Sequence, residues 1–164
     1  MILEKGLSII GEFLKAKFIE ELLSQDHNAS GEHIDSMRFD VNKTGSGYEL
    51  VFESLEYNKY LDQGTKKGRY VPIQALIEWI EAKGIASGDK EVKSIAFAIR
   101  QKIFNEGTPT AGSYKFSKNG RRKDWIGITI KNNTAEVSEK LAFIIGDNIN
   151  FELKNLANNI NSVK

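Results

Sequence analysis

The sequence predicts an α+β protein with several helices and one small antiparallel sheet. Three observations lead to this prediction. Apolar residues recur at helical spacing at both ends of the chain and in its middle, whereas residues 36–52 alternate between apolar and polar types as strands do. A chain of 164 residues is long enough for one well-buried core and short for two. We therefore interpret residues 1–164 as a single domain.

The N-terminal residues have the pattern of one long amphipathic helix. Its apolar positions recur every three or four residues and lie on one side: Leu3, Leu7, Ile10, Leu14, Phe18 and Leu22. Charged residues such as Glu12 and Lys15 interrupt the apolar run, so we do not expect a signal peptide. No segment approaches the roughly 20 apolar residues that span a bilayer. The polar face mixes acids and bases, which fits a helix packed on this chain's sheet or on a partner better than one lying on a membrane.

Two alternating runs on either side of a glycine-containing turn predict a β-hairpin. The turn occupies residues 43–47, and the apolar residues that share one face are Met37, Phe39, Val41, Tyr48, Leu50 and Phe52. A hairpin alone is marginally stable in water, so it needs a third strand or a helix across its apolar face. The N-terminal helix is the nearest candidate.

Pro72 and Gly84 mark the two ends of a central helix. Proline suits a first turn because its missing N–H would have had no partner there, and glycine accepts φ > 0 beyond the last turn. A second helix is expected between the turn at Ser87–Asp89 and Gly107. Residues 55–61, which precede both helices, fit either a short helix or an irregular bend.

The C-terminal third begins with an extended loop at residues 107–123, in which we predict a short strand at Ser113–Phe116. A loop of this length in a compact domain is usually functional or disordered. Residues 124–131 fit either a strand or the start of a helix. From about Thr134 we predict a last helix, with Gly146 as its weak point and one apolar stripe along it: Val137, Leu141, Ile145, Ile149, Leu153, Leu156 and Ile160.

Groups for catalysis are sparse. The absence of cysteine excludes disulfides, thiol nucleophiles and thiolate metal sites, and it fits a reducing compartment. His27 and His33 are the only imidazoles; neither has the spacing of a metal ligand or of a base beside a nucleophile, and we expect both to face solvent in a connector. Asp62 fits a capping or turn-stabilising carboxylate better than a general base. We predict no catalytic residue, metal or cofactor, and no enzymatic activity.

The basic residues are concentrated locally, since the net charge of the chain is only +1. The loop 64–68 lacks the residue order of a phosphate-binding loop. Residues 115–123 carry five cations beside aromatic residues: Lys115, Lys118, Arg121, Arg122 and Lys123. Cations interleaved with aromatic rings can hold a nucleic-acid backbone and stack on bases. The other interpretation is a loop that faces solvent or a protein partner.

Several short motifs follow one another between about residues 29 and 110. They are Ala29-Ser30-Gly31 leading to Ser36 and the hairpin, then Tyr60-Leu61-Asp62-Gln63-Gly64-Thr65, then Pro72 with Leu76, Trp79, Ile80, Lys83 and Gly84. In this order and spacing they resemble the tail-completion family of tailed bacteriophages and prophages, also called neck or minor tail proteins. The chain departs from the family pattern at His33 and Met37, and after Arg69 it has a helix-rich insertion.

This resemblance implies a long N-terminal helix packed on a small curved antiparallel sheet. It also implies a structural role in the virion, assembled in the cytoplasm of the bacterial host. Subunits would form a homo-oligomeric ring at the head–tail junction or upper tail, around the DNA channel and beside other connector or tail-tube proteins.

Ring assembly joins two different surfaces of neighbouring copies. We expect such contacts at the 107–123 loop and at the turn that contains Asp62, Gly64, Thr65, Lys66, Lys67 and Arg69. A nucleic-acid-binding accessory protein and a small enzyme are the alternative classes.

Overall fold

The computed structural model describes residues 2–162; Met1 and residues 163–164 of the expected single domain lie outside the described part. The elements in chain order are α1 (Ile2–Ser24), α2 (Glu32–Asp35), β1 (Arg38–Lys43), β2 (Tyr48–Glu53), α3 (Asn58–Gln63), α4 (Ile73–Ala82), α5 (Asp89–Glu106), a 3-10 helix (Ala111–Phe116) and α6 (Trp125–Ser162). The fold is α+β, as the sequence predicts.

Helices α1 and α6 lie side by side and run in opposite directions. Near the start of α1, Gly6 lies against Ile144 of α6, and a Cβ at Gly6 would overlap the Ile144 side chain. Near the end of α1, the ring of Phe18 meets Trp125 edge-on with 5.6 Å between centroids. At ~1.5 Å per residue, the 38 residues of α6 extend ~57 Å and the 23 of α1 ~35 Å. Helix α6 therefore continues past the start of α1.

The hairpin packs on α1, which confirms the predicted cover for its apolar face. Strands β1 and β2 pair antiparallel from Arg38↔Glu53 to Lys43↔Tyr48. The Phe39 ring fills the space over Gly11 of α1, and Phe52 meets Phe18 edge-on with 5.3 Å between centroids. The main core combines all three elements: Phe18, Leu22, Met37 and Trp125 are buried together.

Helices α4 and α5 form a second, smaller core around Ile80, Val92 and Ala96. The chain enters and leaves this pair through one antiparallel bridge between Thr65 and Thr108. The Thr65 N–H donates to the Thr108 carbonyl oxygen at 3.1 Å, and the Thr108 N–H donates to the Thr65 carbonyl oxygen at 2.8 Å. We call this bridge, with the flanking Gly64 and Gly107, the neck.

Several local predictions are confirmed and two are wrong. The helices at Ile73–Ala82 and Asp89–Glu106 match their expected ends, and the ambiguous residues 55–61 lead into α3. The strand predicted at Ser113–Phe116 is wrong, since these residues belong to a 3-10 helix. The last helix begins at Trp125 instead of Thr134 and continues through Gly146.

Of the ambiguous residues 124–131, those from Trp125 onward are helical, and their burial follows the helical period. Trp125 and Thr129, four residues apart, are both buried, whereas Ile126 and Ile130 are exposed. Across residues 2–162, no helix has the length and apolar character needed to cross a membrane.

The neck depends on two glycines in a backbone conformation that only glycine adopts readily. Gly64 has φ 77° and ψ −178°, and Gly107 has φ 80° and ψ −172°. A Cβ at Gly64 would overlap the Thr108 carbonyl oxygen, and one at Gly107 would overlap the Thr65 carbonyl oxygen.

We predict that Gly64→Ala and Gly107→Ala each lower the free energy of unfolding by about 2 kcal/mol or more, through strain and overlap at the neck. Gly146→Ala is the control: it lies inside α6 with open space around it, so alanine should raise stability by about 0.5–1 kcal/mol. Urea unfolding measures all three. Wild-type stability in the two neck variants would contradict the prediction.

Candidate functional site

The two segments predicted to contact partners lie at the same end of the α1–α6 pair. The Lys118 N–H donates to the carbonyl oxygen of Ser24, where α1 ends, at 2.8 Å. The Asp124 N–H donates to the carbonyl oxygen of Asp62 at 2.7 Å, just before α6 begins. The neck then joins residue 65 to residue 108. We call this end, with the 64–69 loop and residues 107–123, the loop end.

Asp62 caps α6 from a distant part of the chain. Its Oδ1 accepts a hydrogen bond from the Ile126 N–H at 3.0 Å, in the first turn of α6. A carboxylate at this place satisfies a backbone donor that has no partner within the helix and interacts favourably with the helix dipole. The capping interpretation of Asp62 is confirmed.

The 64–69 loop has a fixed base and an exposed tip. Gly64 and Thr65 belong to the neck, while Lys66, Lys67 and Arg69 are exposed. The base is held against α5, because the Gly68 N–H donates to the Phe104 carbonyl oxygen at 2.7 Å. Next to it, the Tyr70 ring stacks on Phe104 with 4.2 Å between centroids, and the Arg100 guanidinium lies 4.5 Å from the Tyr70 ring centre.

Among the five cations predicted in the basic loop, Arg122 is the one whose side chain is not exposed. Its side chain is only 14% exposed and forms an ion pair with Asp26 at 3.3 Å. The same Nη1 donates to the carbonyl oxygen of Gln25 at 2.7 Å and to that of Asp26 at 3.3 Å. Arg122 therefore holds the loop onto the chain just after α1. The other four cations of the loop are exposed: Lys115, Lys118, Arg121 and Lys123.

Two polar residues that the sequence interpretation passed over also fasten this loop. The Asn119 amide donates to Glu21 Oε1 at 2.9 Å and to Ser24 Oγ at 2.7 Å. The buried Gln25 amide donates to the Lys123 carbonyl oxygen at 3.2 Å and to Glu21 Oε1 at 2.8 Å. Asn119-Gly120 is a turn signal that could have indicated an ordered bend. The residues next to Gln25 in the sequence do not indicate which groups its side chain contacts.

The loop end is strongly positive although the whole chain is nearly neutral. Residues 62–69 and 115–124 together contain eight Lys or Arg and two Asp. One of the eight, Arg122, is paired internally. Seven exposed cations remain at this end, and they suit an acidic protein surface or a phosphate backbone.

The prediction that both histidines face solvent is wrong. His33 is 7% exposed, and burial lowers its pKa. His27 is partly buried, and its pKa falls to about 4, first because of burial and second because of the Arg122 charge. Its Nε2 lies 3.2 Å from Gln25 Oε1. His27 thus lies partly buried just after α1, and His33 is buried in α2.

Neither of two surface concavities resembles an enclosed active site. One lies at the α4–α5 turn between Glu81 and Glu91, and the other lies between Leu55 and Ile126. Both open broadly to solvent. Within residues 2–162 there is no group of three or more acidic or histidine side chains placed to hold a metal ion.

Comparison of the chain with family models, curated proteins and solved structures gives no match in any of the three. The resemblance to tail-completion proteins therefore depends on the motifs between residues 29 and 110 alone.

We predict that Arg122→Ala lowers the free energy of unfolding by about 2 kcal/mol, because three acceptors lose a charged donor in a partly buried place. The neighbouring Arg121→Ala should change it by less than about 0.5 kcal/mol, since that side chain is exposed. Urea unfolding of the two variants provides a matched comparison. Equal effects would contradict the internal role of Arg122.

We predict that His27 makes the protein less stable in acid. In the unfolded chain the imidazole takes up a proton near its ordinary pKa of 6.5, whereas in the folded chain it does so only near 4. Protonation therefore favours unfolding, and stability that is complete above pH 6.5 is lost as the pH falls toward 4.

Thermal unfolding from neutral pH down to about 4 tests this prediction with His27→Gln, which has no imidazole to protonate. The melting temperature of the wild type should fall more steeply over this range than that of the variant. His33→Gln is the control, since it retains the His27 effect. Parallel curves for the wild type and His27→Gln would contradict the prediction.

Proposed function

We propose that this chain is a structural protein of a tailed bacteriophage or prophage. In this proposal its copies form a ring at the head–tail junction or upper tail, around the DNA channel. The motif order between residues 29 and 110 supports the family. One structural observation supports the assembly role: both predicted contact segments lie together at the loop end and present seven exposed cations.

The loop end suits a contact surface because it is fixed before any partner binds. Arg122, Asn119 and Gln25 hold the basic loop at the end of α1. The hydrogen bond from the Gly68 N–H to the Phe104 carbonyl oxygen holds the 64–69 loop on α5. An ordered surface loses little conformational entropy on binding. In a ring, this surface of one copy meets a different surface of the next copy.

The same end also supports a second candidate function, the binding of nucleic acid. Tyr114 and Phe116 are exposed beside the cations, and the Lys115 ammonium lies 4.9 Å from the Phe116 ring centre. Exposed rings can stack on bases while cations neutralise phosphates. Binding of DNA through its phosphates weakens steeply as the salt concentration rises. A ring held together by protein contacts, in contrast, forms without DNA.

Mass spectrometry of purified tailed particles from the organism that encodes this chain tests the virion role. We expect the chain to be present in the purified particles, in a copy number consistent with a ring of identical copies. Its presence in the cell lysate and absence from the particles would overturn the proposal.

We predict that reversing three loop-end charges, with Lys66→Glu, Lys67→Glu and Arg69→Glu combined, weakens ring formation by at least about tenfold through the loss of charge complementarity. Three exposed lysines elsewhere, combined as Lys5→Glu, Lys90→Glu and Lys131→Glu, provide a control of equal charge change. Negative-stain electron microscopy and light scattering measure the rings.

Equal assembly by the charge-reversed variant and the control would contradict the assignment of ring contacts to the loop end. If the wild type forms no rings but binds duplex DNA in a salt-dependent way, and the loop-end variant loses that binding, the nucleic-acid function replaces the ring.

A further inference from the structure

Helix α6 extends beyond the helix that supports it. Because Gly6 of α1 lies against Ile144 and the two helices run in opposite directions, Ile2 at the start of α1 lies near residue 148. Residues 149–162, which we call the overhang, continue for a further ~21 Å. The large apolar side chains of this part stay exposed: Ile149, Phe151, Leu153, Leu156 and Ile160.

A helical overhang of this composition gains stability from a partner. Five of the fourteen residues 149–162 are asparagine, which favours helix only weakly, and Gly146 lies just before the overhang. Isolated helices shorter than ~12–15 residues are marginal in water even with good helix formers, because most helix stability in proteins comes from packing of an apolar face. Burial of the exposed apolar side chains would supply that packing.

Five of the exposed apolar side chains of α6 form one stripe that points away from α1. Ile145, Ile149, Leu153, Leu156 and Ile160 are separated by steps of 4, 4, 3 and 4 residues, as on one side of a helix. Successive side chains of an α-helix point ~100° apart, so Ile144 faces α1 while Ile145 belongs to the stripe. Accordingly, Ile144 is 8% exposed and Ile145 is 49% exposed.

We propose that this stripe pairs two copies of the chain through their α6 helices in antiparallel orientation. The stripe is nearly palindromic, since its steps read 4, 4, 3, 4 from one end and 4, 3, 4, 4 from the other. A two-fold axis between residues 152 and 153 places Ile145 against Ile160 and Ile149 against Leu156. It also brings the two copies of Leu153 side by side. A two-fold contact requires such a self-complementary surface.

The charge and the area of the stripe also favour a second copy. Residues 145–162 contain only Asp147, Glu152 and Lys154 as charged residues, so the main repulsion between two copies is that between their Glu152 carboxylates beside the two-fold axis. The five stripe side chains are between 49% and 60% exposed. Their burial in both copies removes roughly 1,000 Å² in total, about the lower limit for a specific interface. The pairing is therefore expected to be weak and reversible.

This pairing goes beyond the proposed ring and is separate from it. The overhang lies at the opposite end of α6 from the loop end, and its contact is two-fold, whereas ring contacts join two different surfaces. The two proposals can therefore fail independently.

Disulfide cross-linking tests the pairing without background, because the chain has no cysteine. Under mild oxidation, Leu153→Cys should form a dimer rapidly. Lys154→Cys, on the other side of the helix, is the control and should form at most about a tenth as much dimer. A mixture of Ile145→Cys with Ile160→Cys should form a cross-link between the two variants. Ile145→Cys alone should not cross-link, because the two copies of residue 145 would lie ~22 Å apart.

Sedimentation equilibrium gives a second measurement. The variant with the loop-end charges reversed should still form a concentration-dependent dimer. Adding Leu153→Asp and Leu156→Asp to that variant should weaken the dimer by at least tenfold. Leu153 and Leu156 are exposed, so these two substitutions should not change the melting temperature of the rest of the protein. Loss of the dimer would therefore not reflect unfolding.

Three results would overturn the pairing: a monomer at the highest soluble concentration, equal cross-linking at positions 153 and 154, or cross-linking of Ile145→Cys with itself. Rings that persist without overhang cross-links would refute the pairing alone. Overhang dimers without rings would refute the ring alone.

Discussion

The packing of α1 against α6 is the contact on which the rest of the structure depends. It brings Phe18 and Leu22 of α1 against Trp125 of α6, and the hairpin packs its apolar face on the same helix α1. The contact requires Gly6, since a side chain at this position would overlap Ile144. It also fixes the two ends of the molecule: the loop end gathers where α1 finishes, and α6 continues alone past the place where α1 starts.

At the loop end, buried polar contacts and exposed charges have separate tasks. Asp62, Arg122 and Gln25 are used inside the protein, where each bonds to main-chain atoms far away in sequence. Their neighbours Lys66, Lys67 and Arg121 remain exposed. These internal bonds hold the basic surface in one conformation. This division of tasks supports an assembly role, with nucleic acid as the alternative partner.

The sequence predicts those features that depend on nearby residues. Pro72, Gly84 and Gly107 mark helix ends through their own backbone preferences, and the alternation around residues 43–47 predicts the hairpin. Features that depend on distant partners were missed. Helix α6 begins early because Asp62, more than sixty residues before it, caps its first turn. Arg122 resembles its exposed neighbour Arg121 in sequence, and only the fold brings it to the carbonyl groups after α1. The burial of His33 likewise comes from the folding of the connector onto the core.

Native-state hydrogen exchange, followed by mass spectrometry, tests the central place of the α1–α6 packing most directly. We expect the amides of residues 6–22 and 125–144 to exchange together, with the largest opening free energy in the chain. Helices α4 and α5 should open at lower free energy, because within residues 2–162 the neck and a few side chains tie them to the main core. Exchange of the α1 amides well before those of the first half of α6 would contradict the central place of the α1–α6 packing. Stronger protection of α4 and α5 than of α1 and the first half of α6 would also contradict it.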